Sequence, residues 1–261
     1  MSEKPAKSNR TTEKLLEIIS ALDEGGPQGV TELATHLELP KSTVHYHLQV
    51  LDETGYVVRE NQRYRLGLRF LEIGENTRRR IQLYEAAKEE INQLATTTGE
   101  LAILMVEEQG LGVYLYKQGG EQAMDVDAPI GRHAYLHDRA IGKAILAHLP
   151  DERVEAIIQE HGLTQTTEET ISTREELFDS LERIRSEEVA YNLGEAVEGL
   201  HAVAVPILTE SGDVLGGISI AGPARRLEGD RITEEIPKHL FQAKNVIELK
   251  LQKNHQKLYR G

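Results

Sequence analysis

The 261-residue sequence predicts an α+β protein in two parts, on three observations. Apolar residues recur at helical spacing three times before residue 54, two short alternating strands follow, and beyond residue 95 strand-like and helical segments intermix. Residues 1–9 are polar and read as a disordered arm. In 12–22, Leu15, Leu16, Ile18, Ile19 and Leu22 mark one helix face, and Gly25-Gly26-Pro27 stops it. Thr31 is the expected N-cap of a short second helix carrying Leu33, Ala34 and Leu37. After the turn Glu38-Leu39-Pro40, Pro40 opens a third helix, because its missing N–H costs nothing at a first helical position. Val44, Leu48 and Leu51 face inward on it, and Gly55 ends it. Residues 56–59 and 63–66 read as strands around Glu60-Asn61-Gln62, a β-hairpin.

Three helices and a hairpin describe a winged helix-turn-helix over 10–70. Linker helices are expected over 71–95, the second of them long and charged. The rest, 96–257, predicts an antiparallel sheet flanked by helices. Strands are expected at 101–107, 112–117, 189–193, 200–208 and 214–221, and helices at 138–148, 151–161 and 173–187. A terminal helix over 229–257 carries Ile232, Ile236, Leu240, Val246, Ile247 and Leu251.

Composition narrows the function. The sequence has no cysteine, which excludes disulfides, thiolate zinc sites and cysteine nucleophiles. No apolar run approaches the roughly 20 residues of a membrane span, and the N-terminus lacks a signal-peptide core, so a soluble cytoplasmic chain is expected. The net charge of −13 is unevenly placed. Residues 1–70 hold nine Lys/Arg against ten Asp/Glu, whereas the remainder holds 21 against 33. The second part should therefore repel phosphate, leaving a nucleic-acid contact to a small local surface in the first.

A helix in the major groove presents polar side chains near its N-terminus to the base edges. Lys41, Ser42, Thr43, His45, Tyr46 and Gln49 are the outward residues of the third helix. Ser42 and Thr43 suit phosphate or bases, and His45, Tyr46 and Gln49 suit bases. In the hairpin, Arg63 and Arg65 alternate to one face and, with Gln62, suit phosphate or the minor groove. Each residue alone has a plainer reading: Ser-Thr as capping chemistry, a strand arginine as solvated. The order helix, turn, helix, basic hairpin is what points to double-stranded DNA. His45 and His47 are two apart on a helix and do not share a metal; no metal or cofactor is expected. Arg78-Arg79-Arg80 reads as a solvated helix end, with phosphate contact the alternative.

The stretch Gly29-Val-Thr-Glu-Leu-Ala, through Leu39-Pro-Lys-Ser-Thr-Val-His to Arg63-Tyr-Arg-Leu-Gly, resembles the IclR family of transcriptional regulators. Leu136-His137, Ala140-Ile-Gly-Lys-Ala144, Glu195-Ala-Val-Glu-Gly-Leu, Ala202-Val-Ala-Val-Pro-Ile and Gly216-Gly-Ile-Ser-Ile-Ala-Gly-Pro223 extend the resemblance over about 10–255. It implies a GAF-like C-terminal domain that binds an organic, aromatic or sugar-derived acid. By position in the motifs it implies a pocket of Ala140, Ile141, Asn192, Glu195, Ala202, Ser219 and Ala221. Three departures stand out. Glu38 sits where the family has Gly, which predicts a strained left-handed residue. Tyr135 replaces a common Pro, and Ala221 replaces a usual Ser.

The residues fit such a pocket. Gly142 permits close backbone approach, a helix start near Asp138 offers N–H groups, Ser219 is a hydroxyl on an apolar strand, and small residues at 202 and 221 leave room. Packing readings stand beside these: Gly142 and Ala144 for helix-on-sheet contact, Ser219 for a buried backbone group, Lys143 for an ion pair, Gly216-Gly217 for a bulge, Glu195 for a surface carboxylate. The expected function is a transcription regulator whose operator affinity a metabolite modulates. It would bind a palindromic site as a homodimer or dimer of dimers, without a membrane. An enzyme with an appended DNA-binding domain is one alternative, but no nucleophile elbow, Walker loop, dinucleotide fingerprint or His-Glu-x-x-His motif appears. A ligand-independent DNA-binding protein is the other; such a protein would be small and basic.

Overall fold

The computed structural model describes residues 10–258, so the expected arm over 1–9 lies outside the described residues. The chain divides into two compact units between Thr77 and Arg78.

The first unit contains α1 (Arg10–Gly25), α2 (Val30–His36), α3 (Lys41–Glu53), β1 (Val57–Glu60) and β2 (Arg63–Leu66). Ile18 and Leu22 of α1, Leu33 of α2, and Val44, Leu48 and Leu51 of α3 are the inward positions of each helix, and they close one core with Val57 and Tyr64. Helix α2 begins two residues earlier than its sequence suggests. Gly29 is the N-cap and Thr31 lies inside the first turn, because the Glu32 carboxylate accepts the Gly29 N–H at 2.8 Å and closes the end that Thr31 was expected to close. Pro40 is the N-cap of α3, its carbonyl accepting from the amides of Thr43 and Val44. Glu38 between the two helices has φ 52°, the left-handed conformation its place in the turn predicts. Asn61 (φ 49°) and Gln62 (φ 68°) make the two-residue hairpin turn with both central residues left-handed, the twist that suits a tight hairpin. Gln28 pairs with Tyr64 as an isolated bridge, tying the wing to the α1–α2 turn.

Helix α4 (Arg69–Arg80) carries the chain across the boundary, and α5 (Gln82–Thr98) follows a break at Ile81. The stretch 71–95, expected as linker, is thus divided. Leu83, Tyr84, Ala87, Ile91 and Leu94 of α5 are buried against the sheet, so α5 is a structural layer of the second unit and the connection is α4.

The sheet is antiparallel with strand order β5-β4-β3-β8-β7-β6. Its strands are β3 (Leu101–Glu108), β4 (Leu111–Gly119), β5 (His133–Ala134), β6 (Ala190–Leu193), β7 (Leu200–Leu208) and β8 (Val214–Pro223). Both faces are covered, which explains why the central strands read as nearly continuous apolar runs. One face (Leu104, Leu115, Val203, Val205, Ile218, Ile220) packs on α5 and on α9 (Ile236–Leu258), which a π-helical turn at Arg231–Glu235 precedes. The other face (Ile103, Met105, Tyr114, Ala204) packs on α6 (Ala140–Leu146), α7 (Asp151–His161) and α8 (Arg174–Glu187). The register of β7 and β8 shifts between Ile207, opposite Gly216, and Leu208, opposite Val214, so Leu215 is the extra residue. The bulge therefore precedes the Gly216-Gly217 pair. Those glycines serve packing: a Cβ on Gly216 would stand 2.5 Å from the Met105 carbonyl oxygen. Among the described residues no helix is long and apolar enough to cross a membrane.

Candidate functional site

On α3, Lys41, Ser42, His45, Tyr46 and Gln49 are exposed and Thr43 is half-buried, while Val44, His47, Leu48 and Leu51 are buried. The outward set thus lies on one helix face, as the 3.6-residue period requires. Tyr46, 62% exposed, is the largest side chain there. Gln49 donates Nε2 to Glu53 Oε1 at 2.9 Å. His47 belongs to the core side, and burial, aided by the charge of Lys14, holds its pKa below the ordinary 6.5.

In the wing, Arg63 and Arg65 share one face of β2, Tyr64 is buried on the other, and Gln62 is exposed at the turn. Both arginines already have partners. Arg63 donates Nε and Nη2 to the Pro27 carbonyl at 3.0 and 2.7 Å and pairs with Glu32 at 2.9 Å; Arg65 pairs with Glu60 at 2.6 Å. These ion pairs are solvent-exposed, so exchanging them for phosphate costs little. Arg59, which sequence reasoning did not single out, is exposed over the Tyr64 ring at 5.9 Å, and no ion pair holds it among the described residues. Arg69 donates to the Thr54 carbonyl and stacks on Tyr56 at 4.8 Å, fixing the start of α4 to the first unit. At the other end of α4, Arg78 lies over Tyr84 at 4.6 Å, an interaction within the second unit.

The second unit encloses a cavity of about 250 Å³ on the α6 side of the sheet. Ala140, Ile141, Asn192, Ala202, Ser219 and Ala221 line it, six of the seven residues expected there. Strand register explains the convergence: Asn192 of β6 pairs with Ala202 of β7, which pairs with Ala221 of β8, and Ser219 lies two residues along on the same face, opposite Ile103 of β3. Ser219 as a residue is 2% exposed, it lines the cavity, and its hydroxyl makes no hydrogen bond among the described residues. Asn192 frames the wall: its Nδ2 donates to the Asp138 carbonyl at 2.6 Å, and its Oδ1 accepts from the amides of Gly194 and Glu195, each at 3.0 Å.

Glu195 is the residue not brought in. Its carboxylate turns to Lys143, accepting from Nζ at both oxygens (2.6 Å at Oε2), a buried pair beside the cavity wall. Burial pushes Glu195 up and Lys143 down, and each partner's charge opposes that shift. Gly142 serves local packing, since a Cβ there would meet the Leu136 carbonyl oxygen at 2.1 Å. Helix α6 starts at Ala140, two residues later than expected, because Arg139 has extended geometry. His137 bonds the Thr164 carbonyl at 3.1 Å while Asp138 pairs with Arg139, so these neighbours form no catalytic dyad.

Residues 76–248 match the family described as Bacterial transcriptional regulator IclR C-terminal, and residues 11–61 match the IclR helix-turn-helix domain. The chain belongs to the IclR family of transcriptional regulators. A Halobacterium salinarum protein named Probable HTH-type transcriptional regulator ArcR is 32% identical over 241 residues, 91% of this chain and 92% of that one. The Escherichia coli HTH-type transcriptional regulator KdgR is 31% identical over 225 residues, 85% of this chain and 86% of that one. The crystal structure of the Thermotoga maritima IclR superposes with a TM-score of 0.81 at 29% identity, covering 94% of this chain and 99% of that one. As an IclR-family regulator, the chain carries a helix-turn-helix DNA-binding domain and an effector-binding C-terminal domain, and the family and these relatives are transcription regulators.

Within this IclR framework, sequence reasoning missed the charged corner of the cavity: Arg132, His133, Arg139 and Tyr114 line it with Asp127. Arg132 pairs with Asp127. Arg139 donates Nε to the Tyr114 hydroxyl at 2.8 Å and Nη1 to the Tyr135 carbonyl at 3.3 Å and to Asp138. Burial works against the Arg139 charge, but Asp138 and Tyr114 outweigh it and raise its pKa. One signal was available: Arg139 immediately precedes the Ala140-Ile141 pair already placed in the pocket.

Proposed function

We propose that this IclR-family chain regulates transcription by binding operator DNA through residues 10–70, with affinity set by a small organic acid bound within residues 96–257. The cavity carries this reading. Its lining is largely apolar and includes the Ser219 hydroxyl, which makes no hydrogen bond among the described residues, together with Arg132, His133 and Arg139. Few, convergent polar groups in an apolar pocket are what a small-molecule site requires, and cationic donors suit an acid. On the DNA side, Lys41, Ser42, Thr43, His45, Tyr46 and Gln49 enter the major groove, while Gln62, Arg63 and Arg65, joined by Arg59, contact the backbone or minor groove. The regulator works in the cytoplasm as a homodimer, its two recognition helices about one DNA turn apart.

Ligand alters DNA affinity only if it favours one arrangement of the dimer over another. Helix α4, anchored at one end through Arg69 and at the other through Arg78, is the lever. The experiment is a titration of short, aromatic and sugar-derived acids into an operator-binding assay, with ligand occupancy measured in parallel. An acid that binds and shifts operator affinity about fivefold or more supports the coupling. Unchanged operator affinity with the cavity demonstrably occupied ends it.

A further inference from the structure

We propose that Arg139 is the specificity-determining residue of the cavity, selecting ligands that present a carboxylate over neutral ligands of the same shape. This rests on the reading of the cavity as the effector site. The guanidinium is held from two sides. Tyr114 accepts from Nε on the β4 side, and the Asp138 carboxylate, 2% exposed, accepts from Nη1 together with the Tyr135 carbonyl. Asp138 is itself fixed by the Thr166 hydroxyl at 3.3 Å, and Asn192 holds its carbonyl. What is left is Nη2, which makes no hydrogen bond among the described residues, on a side chain 27% exposed that lines the cavity.

Arginine carries donors only, so the group that meets Nη2 must be an acceptor. A primary amide placed there turns either a single carbonyl or a competing N–H toward the guanidinium, whereas a carboxylate offers acceptors in every orientation and a charge-assisted bond. The other cation at this corner, Arg132, is half-exposed and joined to Asp127, and His133 is exposed. Arg139 alone among the three is fixed by a buried carboxylate, and a fixed donor discriminates by geometry where a mobile one follows the ligand. The Ser219 hydroxyl, which makes no hydrogen bond among the described residues, donates or accepts and so does not distinguish an acid from its amide.

The test uses the full-length protein and three matched pairs: propionate and propionamide, benzoate and benzamide, gluconate and gluconamide. Binding is measured by calorimetry on wild type, Arg139→Gln and Tyr114→Phe. Wild type is expected to bind at least one acid about tenfold to a hundredfold more tightly than its amide, the range of one charge-assisted hydrogen bond. Arg139→Gln is expected to lose that preference while amide affinity moves by less than about threefold. Tyr114→Phe removes only the hydroxyl that orients Nε, and is expected to reduce the preference several-fold. It keeps the question open to refutation should Arg139→Gln fail to fold. An acid preference that survives in Arg139→Gln, or that is undiminished in Tyr114→Phe when the other variant is unfolded, overturns the assignment and leaves the cavity reading standing. Equal binding of acid and amide by wild type also overturns it. No binding of any of the six compounds by wild type tells against the cavity as an acid site, and the assignment falls with that reading.

Discussion

The recognition helix and the cavity use similar residue types in opposite ways. On α3 the side chains proposed to meet DNA are those the fold leaves exposed: Lys41, Ser42, His45 and Tyr46 stand in solvent, and among these outward residues Gln49 is hydrogen-bonded to Glu53 and Tyr46 meets the His47 ring edge-on. Around the cavity nearly every polar group is already bonded. Asn192 frames a turn, Glu195 is held by Lys143, and Arg139 is held by Tyr114 and Asp138, while the Ser219 hydroxyl and Arg139 Nη2 make no hydrogen bond among the described residues. A large, rigid, highly charged partner supplies its own order, so its reader needs only exposure. A small ligand supplies none, so its few contact groups must be fixed beforehand by their neighbours.

The strongest way to break this contrast is on the cavity side. Lys143→Met leaves Glu195 buried without its partner and is expected to destabilise the second unit by about 3–5 kcal/mol, read as an earlier urea transition. The corresponding loss on α3 is small: Tyr46 touches little of its own domain, and exposed positions of this kind change stability by about 0.5 kcal/mol or less on truncation. A Lys143→Met protein as stable as wild type would show that the frame around the cavity does not depend on this pair.

The wing sharpens the comparison at an intermediate size. Arg63→Ala with Arg65→Ala is expected to weaken operator binding and to flatten its log–log salt dependence by up to about two phosphate contacts. Folding should change little, because the partners Glu32 and Glu60 are exposed. An unchanged salt slope would mean that both arginines stay with those carboxylates and that Arg59 carries the wing contact.

The smallest effect concerns His47, the one titrating group on the core side of α3. Burial lowers its pKa, so the neutral form is favoured in the folded state. The stability this contributes is fully present above the ordinary imidazole value of 6.5 and is lost as pH falls through that value toward the lower folded one. The first unit should therefore melt earlier in mild acid, and His47→Gln should flatten that dependence. The same slope in the variant would assign the effect elsewhere.

The two regions also differ in how far the sequence reveals them. The exposed face of α3 follows from a single period within 13 residues, so Lys41 to Gln49 were legible from spacing alone. The cavity floor was legible only through motif resemblance, because its residues come from α6, β6, β7 and β8 and meet through strand pairing. The charged corner was not legible. His133 sits on a two-residue strand too short for any periodicity, and Arg139 reads as an ordinary charged residue until Tyr114, 25 positions away, is seen against it. Glu195 lies outside this cavity because a place in a motif does not tell which way a loop carboxylate turns when a buried lysine competes for it. The Thr31 cap failed for a similar reason: a glutamate three residues beyond Gly29 reaches back to the Gly29 N–H and fixes the helix start there instead.

The sheet with both faces covered has a mechanical consequence. The cavity opens on the α6 face, whereas α5, which continues the chain from α4, lies on the opposite face. On the coupling proposed above, cavity and lever would be separated by the thickness of the sheet, and among the described residues the two core clusters share no side chain. Any signal of occupancy would then pass through the strands themselves, as a change in their tilt or curl. On that view β8, which carries Ser219 toward one face and Ile218 and Ile220 toward the other, behaves less as scaffold than as the diaphragm between chamber and linkage.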